Sequence, residues 1–80
     1  MEILHSAFRH DIQAEDMEHV PNNALVIEEV ADDPIRYLVL RPDRSGNLLE
    51  LVVMDRQQGP AVILAMPMTE QYRGLLPKGW

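Results

Sequence analysis

The sequence predicts an α+β domain: an N-terminal helix or helices packed on a four-stranded antiparallel sheet, with a short C-terminal helix. Three observations lead there. Apolar residues recur at helical spacing over residues 4–20, then give way to β-rich runs after residue 23. Tight turn sequences separate those runs, and strands joined so closely pair antiparallel, because a parallel pair needs a long crossover. The 80 residues are enough for one domain, residues 1–80, and leave no linker between the patterned segments.

Each element has its own signal. Leu4, Phe8 and Ile12 fall at i, i+4 and i+8, although Met1–Leu4 fits the start of a strand equally well. Ala14, Met17 and Val20 form a second helical stripe, with Glu15, Asp16, Glu18 and His19 on its polar face. Glu15 and Asp16 suit the positive end of a helix dipole. Pro21 is expected to stop this helix. Ala24–Ile27 reads as a strand that yields to an acidic turn, Glu28 to Asp33, closed by Pro34. Arg36–Arg41 is the second strand, and Pro42-Asp43-Arg44-Ser45-Gly46-Asn47 is a turn by composition. In the third strand, Leu48–Met54, one face carries Leu49, Leu51 and Val53 and the other Leu48, Glu50, Val52 and Met54. Gln57-Gln58-Gly59-Pro60 turns into the fourth, Ala61–Met66. Met68–Leu76 reads as the short helix, closed by Pro77. Helices on one face leave the other face of the sheet open, a usual place for a substrate or partner.

Composition removes several classes of function. Hydrophobic residues at 46% and charged residues at 25% argue against a wholly disordered chain. No apolar run approaches the roughly 20 residues that span a bilayer, and the first ten residues do not read as a secretory signal. The chain has no cysteine, so disulfides, thiolate metal sites and cysteine nucleophiles are excluded, and a cytoplasmic location is expected. Net charge is -6 and unevenly placed: residues 1–34 hold nine carboxylates and one arginine. A protein gripping nucleic acid by its phosphates normally presents a basic surface. This one can do so only locally, through Arg36, Arg41, Arg44, Arg56, Arg73 and Lys78. The acidic half suits solubility or a basic partner.

Few side chains carry a chemical signal. The scattered glycines make no phosphate loop, and Ser6 and Ser45 lack the nearby bases that a nucleophile needs. Glu15 and His19 stand at i, i+4, as two metal ligands on one helix face would. No second pair accompanies them, so a solvated surface is the plainer reading and no metal is expected. His10 could move a proton near neutral pH or simply cap a helix end. Glu50 sits alone in an apolar strand, either as a base or arginine anchor on the open face, or as an outward polar residue. Arg36, Arg41 and Arg44 cluster around one strand and its turn, a guanidinium clamp for phosphate or the protection of an edge strand. Met54, Met66 and Met68 suit core packing or a soft partner surface. Trp80 is docked or loosely held, and the sequence leaves this open.

Three stretches together carry a family likeness. His10-Asp11-Ile12-Gln13-Ala14-Glu15-Asp16-Met17-Glu18-His19 resembles the lysine-histidine-glycine and acidic-helix opening of small bacterial toxins of the BrnT type. Residues 41–53, from Arg41 through Glu50 to Val53, resemble the central hairpin of short actinobacterial relatives. Ala65-Met66-Pro67-Met68, with Tyr72 and Leu75-Leu76-Pro77, resembles their C-terminal end. The likeness covers residues 5–77. It implies a RelE-like fold and a toxin of a type II toxin–antitoxin pair, a ribonuclease that uses neither metal nor cofactor. Its partners would be RNA and a cognate antitoxin, often one with a ribbon-helix-helix part, and a homodimer is a further expected assembly. Cleavage needs a base for the 2′-hydroxyl, cations for the phosphate and an acid for the leaving oxygen. The resemblance nominates Glu50 or His10 as base, Arg41 and Arg44 as clamp, and Tyr72 or Arg73 as supporting donor, with Arg36, Arg44 and Arg73 holding RNA. The chain departs from the pattern at Leu64, Met66 and Thr69, where relatives often have histidine or arginine, and at Asp11 and Gln13. These departures suit an alternative: a non-catalytic protein-binding module on the same fold.

Overall fold

Residues 36–42, 48–54 and 61–67 are runs rich in Leu, Val, Ile and Ala near turns of Pro, Gly, Asp and Asn, which is strand composition. In the computed structural model of the protein, which describes residues 1–20 and 22–80, they form the centre of one sheet. Its strands are β1 (Glu2–Ile3), β2 (Val26–Ala31), β3 (Arg36–Pro42), β4 (Leu48–Met54) and β5 (Ala61–Pro67), in the order β1-β5-β4-β3-β2. β2 through β5 are an antiparallel meander, and β1 lies parallel to β5. The β3–β4 turn is closed by Asp43, whose Oδ1 accepts the backbone N–H groups of Ser45 and Asn47. Gly46 takes φ +88° there, a conformation glycine adopts without a Cβ clash.

The register divides the side chains between two faces. Val39 opposes Leu51, Tyr37 opposes Val53 and Arg41 opposes Leu49 on the front. Leu38 opposes Val52, Leu40 opposes Glu50 and Arg36 opposes Met54 on the back. The front carries the main core: Val39, Leu49, Leu51, Val53, Val62 and Ala65 pack against Ala7, Met17 and Val20 of the N-terminal segment. Met17 is fully buried and Val20 nearly so, each contributing about 1.5–3 kcal/mol relative to exposure. On the back, Leu38, Leu40 and Ala61 are buried as well.

This architecture corrects the predicted one. Among the described residues there is no α-helix; the only helical pieces are 3-10 turns at His5–Phe8, Ala14–Asp16 and Glu70–Leu75. The helical spacing over residues 4–20 is real but is used by a coiled segment. Asp11 at φ 62°, His19 at φ 53° and Asn23 at φ 63° are left-handed and interrupt any right-handed helix. The pieces between them are too short to repay helix nucleation. Buried Ala7, Met17 and Val20 pin the segment instead. Pro21, read as a helix stop, lies outside the described residues.

The sheet also has five strands and is mixed, not four-stranded and antiparallel. Glu2 and Ile3 join it beside Ala61 and Val62, and nearly the whole chain serves as the long connection that parallel pairing requires. Glu28 and Glu29, read as part of an acidic turn, belong to β2. Pairing with β3 overrides their low strand preference, because at an edge both carboxylates stay in water. The expected helix at Met68–Leu76 is a six-residue 3-10 turn that stops where Leu76 becomes extended before Pro77.

Candidate functional site

The nominated nuclease residues come from parts of the fold that do not converge. Arg41 projects from the front face and is 7% exposed. Its Nη1 donates to the backbone carbonyls of Glu18 and His19, at 3.1 and 3.3 Å. Arg44, in the β3–β4 turn, grips Asp16: its backbone N–H and Nε reach Oδ1 at 2.9 and 3.0 Å, and Nη2 reaches Oδ2 at 3.4 Å. The Asp16 carboxyl is held below the ordinary carboxylate range, chiefly by the Arg44 backbone N–H. Burial opposes that shift, while the Arg44 guanidinium and the charge of Arg41 add to it. These two arginines fasten the N-terminal segment to the sheet. Arg36 stands half-buried on the back face, with no hydrogen-bond partner for its Nε.

Glu50 also lies on the back, 5% exposed, and its Oε1 accepts both the backbone N–H and the hydroxyl of Thr69 at 2.7 Å. That carboxylate anchors the C-terminal segment. His10 is exposed in the segment that covers the front, so the two proposed bases belong to opposite sides of the sheet. Tyr72 is half-buried in the C-terminal turn. Arg73 is exposed there and forked onto Glu70, whose carboxyl it holds below the ordinary range. The structure brings Arg41 and Arg44 to one segment, but not to Arg36, Arg73, His10 or Glu50. Among the described residues no three metal-ligating side chains gather, and Glu15 and His19 share no helix.

A different surface is built where the N-terminal segment meets the β2 side of the sheet. A hollow of about 190 Å³ is lined by Val20, Ile27, Tyr37, Val39, Val53 and Pro60, with Met1 at its rim. It continues, through Met1, Val20 and Pro60, into a wider depression of about 750 Å³ that reaches Ile3, Glu18 and His19. Alternation in β2 and β3 places Ile27, Tyr37 and Val39 side by side on the front. Along the same strand and its turn, Glu28 on the back opposite Leu38, Glu29 on the front opposite Tyr37, and Asp32 and Asp33 are all exposed and take part in no ion pair among the described residues. Ile27 and Val30 are each 54% exposed, unusual for large aliphatics in a strand.

Sequence reasoning placed the site on arginines and missed this groove. The signal was present in Val26-Ile27-Glu28-Glu29-Val30-Ala31, where aliphatic residues flank the carboxylates. Ending the strand at Ile27 and reading Glu28 to Asp33 as a turn hid it. No helix of the described residues is long and apolar enough to cross a membrane. Comparison with family models, with curated proteins and with solved structures finds nothing that matches this chain.

Proposed function

We propose that this domain is a protein-binding module whose front groove receives a basic partner with aliphatic side chains. The observation that carries the reading is the apolar hollow at Ile27, Tyr37 and Val53, set on an edge strand that also carries exposed carboxylates, Glu29 on the same face as Ile27 and Glu28 on the other. Apolar floor beside charged rim is the usual anatomy of a recognition surface. The floor supplies binding energy by burying area, and the rim sets which partner approaches and how fast. Four carboxylates with no compensating cation repel RNA and draw Lys- or Arg-bearing segments. The cytoplasm is the compartment this reading assumes, since a chain without cysteine suits a reducing environment.

Nuclear magnetic resonance titration of the labelled protein tests it. The ligands are a lysine-rich peptide interrupted by aliphatic residues, the same peptide with glutamate for lysine, and a single-stranded RNA. The expected result is a set of shifts at Val20, Ile27, Tyr37, Val39 and Val53 with the basic peptide alone, weakened in about 0.5 M salt, where charges are screened beyond a few ångströms. Shifts centred on Arg36, Arg44 and Arg73 with RNA, together with cleavage, would overturn the reading in favour of a ribonuclease.

A further inference from the structure

The two margins of the sheet are finished differently. At one, β1 and the turn behind it cover the first half of β5: Leu4 N–H donates to the carbonyl of Val62, and the Ser6 hydroxyl to that of Ile63. Glu2 is further tied to Arg56. At the other margin, β2 pairs with β3 on one side, and no strand of the described residues lies on its outer side. A strand margin left this way presents a row of backbone donors and acceptors ready for another chain.

Margins that must stay solitary are short, broken by proline, bulged or charged, and β2 has only the last two of these devices. β2 spans six residues, an ordinary strand length, with no proline and with Ile27 and Val30 turned to solvent. The bulge between Glu29 and Ala31 limits the regular stretch to Val26–Glu29. Ile27 in that stretch forms the near wall of the hollow, so a strand laid beside it would carry front-face side chains to the mouth of the hollow. Charge then selects the occupant. A second copy paired antiparallel through β2 would crowd the Glu28 and Glu29 carboxylates of both copies into one short stretch, and their mutual repulsion opposes it. A basic segment reverses the sign.

We infer that β2 accepts an extended, Lys- or Arg-rich segment of another protein as a sixth strand, with its apolar side chains entering the hollow beside Ile27. This mode of binding rests on the protein-binding reading above and adds how the partner is held: main-chain bonds supply affinity and alternate side chains supply choice.

The test uses the whole chain and a short peptide of alternating lysine and valine. Two further forms of the peptide carry backbone N-methyl groups on alternate residues, in one phase or the other, so that each blocks one edge of the added strand. The expected result is binding of the unmodified peptide, slower hydrogen exchange of β2 amides, and at least a tenfold loss for one N-methyl phase only. The exposed double variant Glu28→Lys/Glu29→Lys is expected to bind at least tenfold more weakly while keeping the wild-type amide spectrum of β3 and β4. Binding in the groove with equal affinity for both N-methyl phases and unchanged β2 exchange overturns strand addition but leaves the groove reading standing. No binding of any form overturns both. Equal binding of the glutamate counterpart overturns the selection by charge.

Discussion

Asp16 shows how a single charged residue serves this fold. Its carboxylate is 9% exposed and takes three hydrogen bonds from Arg44, so it couples the N-terminal segment to the β3–β4 turn. The carboxyl titrates below its ordinary value in the folded chain, and that direction fixes the pH response. The stabilisation is complete above the ordinary carboxylate value, near 3.8, and is lost as pH falls from there through the depressed folded value. Asp16→Asn keeps the shape and removes the charge. It is expected to lower stability by about 1–2 kcal/mol at neutral pH, the worth of a charge-assisted hydrogen bond over a neutral one. Urea unfolding of both proteins between neutral and strongly acidic pH checks this. The difference should shrink on acidification, and a difference independent of pH would mean that packing, not charge, is what the substitution disturbs. None of this was readable from residue order. Arg41 and Arg44 look like a phosphate clamp because a guanidinium fork fits carbonyls and carboxylates as well as phosphates. Their actual acceptors, on Asp16, Glu18 and His19, lie more than twenty positions upstream.

Among the elements, the C-terminal turn buries none of its own residues and is held through the segment that precedes it. Its N-terminal neighbour Thr69 is extended and bonds through both backbone and side chain to Glu50, and Met68 N–H reaches the carbonyl of Leu48. The Arg73–Glu70 pair within the turn is exposed, and such pairs contribute little. Glu50→Ala is therefore expected to cost about 1.5–3 kcal/mol, the range for lost hydrogen bonds to a charged acceptor. Exchange of the amides of Thr69, Tyr72 and Leu76 should accelerate before that of β4. If those amides keep their protection, the segment is held by packing and not by the carboxylate. Elements defined by local chemistry were the legible ones: β3, β4 and β5 lie where apolar runs between Pro, Gly, Asp and Asn put them. Elements defined by distant partners were not. At Met1–Leu4 the sequence left strand and helix open, and Ala61 and Val62 beside it decide for β1, while a stripe at i, i+4 also satisfies a coil that touches one face of a sheet. The short 3-10 turns arise where neighbouring left-handed or extended residues deny a helix its length.

At the scale of the whole molecule, the uneven charge has a structural meaning that its sum of -6 conceals. Carboxylates that would be neutral in their effect on stability when scattered are concentrated at the one long open margin of the sheet, at Glu28, Glu29, Asp32 and Asp33. On the proposed reading, the exposed Ile27 and Val30 supply the apolar contact of that margin and the carboxylates select the opposite charge. The same arrangement would keep two copies of the chain apart at neutral pH, so self-association should appear when the charge is removed and nothing else is changed. The variant Glu28→Gln/Glu29→Gln/Asp32→Asn/Asp33→Asn touches no core residue and breaks no ion pair among the described residues. Sedimentation equilibrium is expected to show the wild type as a monomer and this variant associating at concentrations at least tenfold lower. Adding Ile27→Lys to the neutralised chain should restore the monomer, because it replaces the apolar contact with a repulsive one at the centre of the pairing stretch. A wild-type dimer that persists in high salt and resists Ile27→Lys would place the contact on another surface and leave the β2 margin with no part in association.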